Sequence, residues 1–293
     1  MSLPSFSIVI NTLNRGPVLQ KALDSFRWLK YAGDFEIVVV NGPSTDNSEE
    51  VITSWRPHIR AGKCDVANLS VSRNVGICMA QGDIIAFIDD DAIPEPEWLT
   101  QLADAYRDPM VGAVGGLVYN HTGYDFQYKY CLVDRFGNAD LSLPGPTPHL
   151  SFPKSGRFPH LLGCNSSFRR SALLEIGGFD EEYEYFLDET DVCLRIVDAG
   201  YIIAQLPTPM FTINTRQATL GGRIKSYVIV IQSLRTKYIL CSSMLRNSTQ
   251  WNVSCKSSSR SFSPRGMKSI GLMAKVCCLL VMWRRLMLTY SEQ

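Results

Sequence analysis

The chain has 293 residues, 45% of them apolar and 19% charged, which supports one large core or two ordinary ones and excludes global disorder. The net charge of +1 hides a split: residues 1–210 hold 27 acids against 16 bases, whereas residues 211–293 hold 13 bases and one acid, Glu292. Nine cysteines, odd in number and without a C-x-x-C pair, point to a reduced chain, and Met1-Ser2-Leu3-Pro4 leads straight into a strand with no targeting segment, so a cytoplasmic setting is expected.

In chain order, Phe6 to Thr12 reads as a strand, and Gly16-Pro17 opens a helix in which Leu19, Leu23 and Phe26 recur at helical spacing. Phe35 to Val40 is a second apolar strand, stopped by the turn-rich run Asn41-Gly42-Pro43-Ser44-Thr45-Asp46. Asn47 or Ser48 is placed to cap a helix carrying Val51, Ile52 and Trp55 on one side. Asn68-Leu69-Ser70 opens another helix, which runs to Ala80. A strand at 84–88, a helix at 97–106 and a strand at 111–119 follow. The stretch 120–160 has weak periodicity and reads as a loop or an excursion that covers a substrate. Order returns at 161–168 and 171–176, and a helix from Glu189 to Ala199 is closed by Gly200. Nearly unbroken apolar strands alternating with helices predict an α/β fold with a mostly parallel sheet flanked by helices.

The most informative run is Ile84-Ile85-Ala86-Phe87-Ile88-Asp89-Asp90-Asp91. A buried strand that ends in three carboxylates places hard oxygen ligands at the carboxyl edge of a sheet, where open α/β sheets bind their ligands. Three adjacent carboxylates repel one another, and Mg²⁺ or Mn²⁺ held together with a diphosphate suits them; a solvated acidic turn has the same composition. Asp188-Glu189-Thr190-Asp191 opens the last helix, where acids are favoured by the helix dipole. Asp191 also has an ion-pair partner at i,i+4, Arg195. Glu189 follows Phe186-Leu187, and a carboxylate held among apolar residues is expected to have a raised pKa and to serve as a base. Arg73 is either a surface charge or a guanidinium for phosphate oxygens. Trp98 reads first as core packing. The histidines at 58, 121, 149 and 160 show no ligand spacing, and no P-loop, G-x-G-x-x-G, G-x-S-x-G or zinc pattern is present.

Together these segments resemble the family 2 glycosyltransferases, inverting enzymes of the GT-A fold, over roughly residues 5–210. The parts stand in the family's order: Ser7 to Arg15; Glu36 to Val40 with Ser44-Thr45-Asp46; Ser72-Arg73-Asn74-Val75-Gly76; Asp89-Asp90-Asp91, similar to the D-x-D motif; Gly163-Cys164-Asn165; and Gly177-Gly178-Phe179-Asp180 through Asp188-Glu189-Thr190-Asp191 to Arg195. The resemblance implies a nucleotide-sugar donor and a carbohydrate, lipid-linked or protein acceptor. It implies that Thr12, Asn14, Asn41, Arg73 and Asp89 surround the nucleotide, that Asp89 and Asp91 hold Mg²⁺ or Mn²⁺, and that Trp98, Gly163 and Asn165 border the sugar and acceptor. The base falls at Glu189, with Asp191 as the competing candidate. Asn41-Gly42-Pro43 replaces the family's common Asp-Asp-Gly, which leaves UDP, GDP and dTDP sugars equally open.

The family pattern stops near Met210. Relatives commonly continue with Tyr-His-Gln-Tyr-Ala-Pro-Ser-His-Ile-Arg, and a shift of reading frame by two nucleotides at Phe211 permits that run. Residues 211–293 are therefore expected to be a frameshifted, poorly packed segment. The rival reading is a basic tail lying on an anionic membrane surface, which would place the chain at the inner face of the membrane: Val276 to Trp283 is too short to span a bilayer. If the lost segment is needed for turnover, the chain is an inactive nucleotide-sugar-binding protein. Nucleic-acid binding is not expected, since no recognised motif accompanies the basic charge.

Overall fold

The computed structural model describes residues 2–213. Strand and helix alternate through the first half: β1 (Phe6–Thr12), α1 (Gly16–Ser25), β2 (Phe35–Asn41), α2 (Ser48–Trp55), β3 (Arg60–Lys63), α3 (Leu69–Met79), β4 (Ile84–Asp89), β5 (Ala92–Pro94), α4 (Trp98–Ala105) and β6 (Val111–Tyr119). The second half holds β7 (Phe126–Tyr128), β8 (Leu132–Asp134), β9 (Ala139–Asp140), β10 (Arg157–Pro159), β11 (Ser166–Arg169), α5 (Arg170–Glu175), α6 (Asp188–Asp198) and β12 (Ile202–Ile213).

The main sheet has nine strands in the order β3-β2-β1-β4-β11-β6-β12-β5, with β7 on β6. β3, β2, β1 and β4 pair in parallel, as do β6 and β12, while β11 lies antiparallel between β4 and β6. All the long strands therefore point the same way, as the unbroken apolar runs predict. Ile8, Val9 and Ile10, Val38 to Val40, and Ile84 to Ala86 are all fully buried, because helices cover both faces of the sheet. The register sets up the site. Thr12 stands opposite Asn41, and Asn11 opposite Asp89, so the carboxyl ends of β1, β2 and β4 meet at one edge.

The stretch 120–160 is not a loop. β8, β9 and β10 form a second antiparallel sheet, and Cys131, Leu132, Val133 and Phe158 bury beneath it. Arg135 fixes it to the end of α6 through two bonds to Asp198, of 2.8 and 2.5 Å. α6 ends as the sequence predicts. Gly200 has φ +94°, its N–H donates to Val197 and that of Tyr201 to Ile196, which completes a Schellman motif. β12 continues past the expected boundary at 210, pairing Phe211, Thr212 and Ile213 with Pro94, Ile93 and Ala92. The expectations for the rest of 211–293, whether frameshift, poor packing or membrane contact, lie outside the described residues. Among the described residues no helix is long and apolar enough to cross a membrane.

Candidate active site

A cleft opens at the carboxyl edge of β1 and β4. Asn11, Leu69, Arg73, Phe87, Asp89 and Gly163 line it. Leu69 and Arg73 come from the first turns of α3, which Asn68 caps by accepting a hydrogen bond from the Val71 N–H at 3.0 Å. Gly163 belongs to a short 3₁₀ turn, Gly163–Asn165, packed against β4.

The three aspartates divide their roles. Asp89 ends β4 and reaches solvent in the cleft. Asp90 turns inward and is buried, accepting from the Thr12 hydroxyl at 2.7 Å and pairing with Arg15 Nε at 3.1 Å. Asp91 pairs with Arg15 Nη2 at 2.6 Å. Asp89 is open at its tip, yet its pKa rises to about 7. Desolvation at the cleft floor leads, Arg73 opposes it, and the carboxylates of Asp91, Glu189 and Asp90 add to it. Asp90 rises to about 6, mainly through burial, against its bonds to Thr12 and Arg15.

The second acidic group faces the first across Arg73. This guanidinium is buried, bonded to Asp188 and, at 2.7 Å, to Glu189 Oε1. It also lies 5.8 and 5.0 Å from the ring centres of Phe87 and Phe179. Burial alone would raise the Glu189 pKa, but Arg73 and a hydrogen bond with Asp188 pull it down to about 2. Burial and the charge of Glu189 drive Asp188 well above the carboxylate range, with Arg73 opposing. Arg73 and Asp188 thus favour the charged form of Glu189, while burial pushes Asp188 toward its neutral form. This corrects the expectation of a raised Glu189 pKa, which left out the buried cation beside it. A Cβ on Gly163 would lie 2.1 Å from Glu189 Oε1 and 2.8 Å from Arg73 Nη2, so only glycine leaves room for this arrangement.

Other expected site residues fall in different places. Asp191 is buried and bonded twice to Arg195, at 2.8 and 2.5 Å, the helical ion pair its spacing allows. Trp98 is 1% exposed and belongs to the core, so it borders no open site; the amphipathic spacing of α4 turns it inward. Thr12 is buried and holds Asp90 instead of facing the cleft. Asn14, at φ +56°, links two loops: its N–H donates to Ser44 Oγ at 2.9 Å and its Oδ1 accepts from Thr45 N at 2.7 Å. Asn41 is buried, donating to Glu49 at 3.1 Å and accepting from Ser44 at 2.7 Å. Asn165 is buried under the cleft, and its Nδ2 has no hydrogen-bond partner among the described residues. Asn11, Arg15, Asp90 and Asp188 are site residues that pattern alone did not single out. The D-x-D resemblance gives roles to Asp89 and Asp91 and none to Asp90, and Arg15 enters it only as the last residue of the first motif.

Among the described residues no group of three or more His, Cys, Asp or Glu side chains is assembled to hold a metal by itself. The donor set still fits a hard divalent ion. Asp89 is crowded by like charges, and Mg²⁺ or Mn²⁺ is commonly bound by one or two carboxylates plus substrate phosphates.

This sheet, with an acidic strand end at its carboxyl edge and a second acid pair at a helix start, defines a GT-A type α/β protein. Solved GT-A structures share the fold. The mannosyltransferase PcManGT from Pyrobaculum calidifontis, in complex with GDP-Man and Mn²⁺, aligns with a TM-score of 0.59 at 20% identity, over 83% of this chain and 70% of that one. TarS of S. aureus in complex with UDP-GlcNAc aligns with a TM-score of 0.53 at 16% identity, over 80% and 66%. The family model of Glycosyl transferase family 2 matches residues 7–177, and the chain belongs to that family. It is 31% identical over 137 residues to a glucosyl-dolichyl phosphate glucuronosyltransferase of Haloferax volcanii, covering 44% of this chain and 42% of that protein. It is 30% identical over 206 residues to a validoxylamine A glucosyltransferase of Streptomyces hygroscopicus subsp. jinggangensis, covering 61% and 48%. The chain spans between about a quarter and three-fifths of the curated relatives it matches, 23% of an uncharacterized Sinorhizobium fredii protein and 57% of a probable glycosyltransferase of Bacillus subtilis.

Proposed function

We propose that the chain transfers a sugar from a nucleoside diphosphate donor to an acceptor hydroxyl with inversion at the anomeric carbon. The observation that carries this reading is a cleft lined by Asp89, Arg73 and Gly163, with Glu189 bonded to Arg73 and close beside Gly163. The donor's diphosphate lies toward Asp89, beside the ends of β1 and β4. The acceptor enters from the α6 side, where Glu189 takes the proton of the attacking hydroxyl. Asp89 and Asp91 would hold Mg²⁺ or Mn²⁺ together with the donor, and the ion would supply positive charge against the leaving diphosphate.

Arg73 gives the site an order of events. With no donor in the cleft it neutralises Glu189, which is then a poor base. Arg73 also lines the cleft, so a diphosphate competes for its guanidinium. Once that contact loosens, burial is the main remaining influence on Glu189 and raises its affinity for a proton. The base is thus strengthened only when the donor is seated. The donor nucleotide remains among UDP, GDP and dTDP, because Asn41 stands where an acid would read the base. The acceptor class stays as the family resemblance implies.

Calorimetry of UDP, GDP and dTDP with and without Mn²⁺ tests the donor side. The expected result is metal-dependent binding of one nucleotide that Asp89→Ala abolishes while leaving the melting temperature unchanged or raised. Undiminished metal-dependent binding in Asp89→Ala contradicts it. Binding without any sugar release would favour the inactive nucleotide-sugar-binding alternative.

A further inference from the structure

The approach to α6 changes character abruptly at residue 185. Residues 179–184 are tied down by α3. Asn74 donates to Phe179 O and accepts from Phe179 N, both at 2.9 Å, Ser70 donates to Tyr183 O, and the Leu69 N–H donates to Glu184 O at 2.9 Å. Tyr185 and Phe186 then stand 63% and 44% exposed. The backbone beneath them is strained. Phe186 has φ +88° and Leu187 φ +65°, two consecutive large residues in the left-handed region. Such residues persist only where their surroundings over-determine them. Those surroundings are the α3 ties on one side and the first turn of α6, with Asp191 N–H donating to Leu187 O at 3.0 Å, on the other.

A lone exposed aromatic is ordinary. Two neighbouring rings presented by strained backbone, immediately before Asp188 and Glu189, are not. The Glu184 carbonyl just before these rings accepts from the N–H of Leu69, which lines the cleft. From this placement we propose that Tyr185 and Phe186 form a platform for a pyranose ring of the acceptor at the mouth of the cleft; the proposal rests on the transferase reading above. A sugar ring offers a C–H face that suits an aromatic face and a hydroxyl edge that suits carboxylates, and both partners meet here.

Saturation-transfer NMR tests the platform. The probes are the methyl glycosides of glucose, galactose, mannose, N-acetylglucosamine and glucuronic acid, each added with Mg²⁺. The expected result is transfer to the ring C–H protons of at least one glycoside, roughly tenfold weaker in the Tyr185→Ala/Phe186→Ala double variant. Tyr185→Phe and Phe186→Tyr keep the rings and are expected to keep the signal. Phe186→Gly relieves the left-handed strain, so it should weaken the signal without lowering the melting temperature, which separates a binding role from a structural one. No transfer from any glycoside, or an undiminished signal in the double variant, overturns the proposal. Nucleoside diphosphate calorimetry on the same samples keeps the two readings apart: nucleotide binding without glycoside binding sinks the platform alone, and no nucleotide binding sinks the transferase reading.

Discussion

On the β1–β2 side of the cleft the polar side chains are hydrogen-bonded in a network: Thr12 to Asp90, Asn14 to the Thr45 N–H, Asn41 to Glu49 and Ser44, and Asp46 to the Gly16 and Ser48 N–H groups. On the α6 side one guanidinium serves two carboxylates, and an exposed aromatic pair, Tyr185 and Phe186, precedes them in the chain. The first side is preorganised by many small, mutually supporting contacts. The second depends on a single buried cation and a strained turn. A preorganised β1–β2 side and an α6 side that turns on one cation would suit the transferase proposed above, in which donor binding frees the base.

The contrast can be broken most sharply at Arg73. Arg73→Met leaves Asp188 and Glu189 without a cation, and the expected loss of stability is about 3–5 kcal/mol by urea unfolding. A loss below about 1 kcal/mol would mean that the α6 side does not hang on this residue. The next effect is one of pH. Asp89 has a folded pKa of about 7, above its unfolded value, so the unliganded fold loses stability as pH rises from about 4 through 7. A divalent ion competes with that proton, so Mn²⁺ should raise the melting temperature more at pH 8 than at pH 6; an equal rise at both would place the metal elsewhere. The smallest change is expected at Asn14→Gly. Glycine accepts the φ of +56° but loses the bonds to Thr45, so the cost is about 1 kcal/mol, spread over a redundant network. A much larger loss would show that the first side also depends on one member.

Much of this was legible in the chain. The strands at 6–12, 35–41 and 84–89 declare themselves because burial on both faces leaves unbroken apolar runs, and Gly200 marks the end of α6 by the left-handed turn it permits. β3 was not legible, since Arg60-Ala61-Gly62-Lys63 is an edge strand with no apolar pattern. Neither was the small sheet within 120–160, whose strands are two or three residues long and take their order from tertiary ties such as Arg135 to Asp198. At the site, sequence order brought the two acid groups into view. It could not reveal that Arg73 points at Asp188 and Glu189, because that contact joins residues more than a hundred positions apart. Trp98 carried no signal to separate a core tryptophan from a sugar-stacking one.

The central claim, that Glu189 is the base of a sugar transfer, is tested most directly by nucleoside diphosphate release. UDP-, GDP- and dTDP-sugars are incubated with Mn²⁺ and the wild-type protein, Glu189→Gln or Asp191→Asn. The expected result is release from one donor class, roughly 10²-fold or more slower in Glu189→Gln and retained in Asp191→Asn, whose carboxylate is bonded to Arg195. Release that survives in Glu189→Gln and disappears in Asp191→Asn would contradict the assignment.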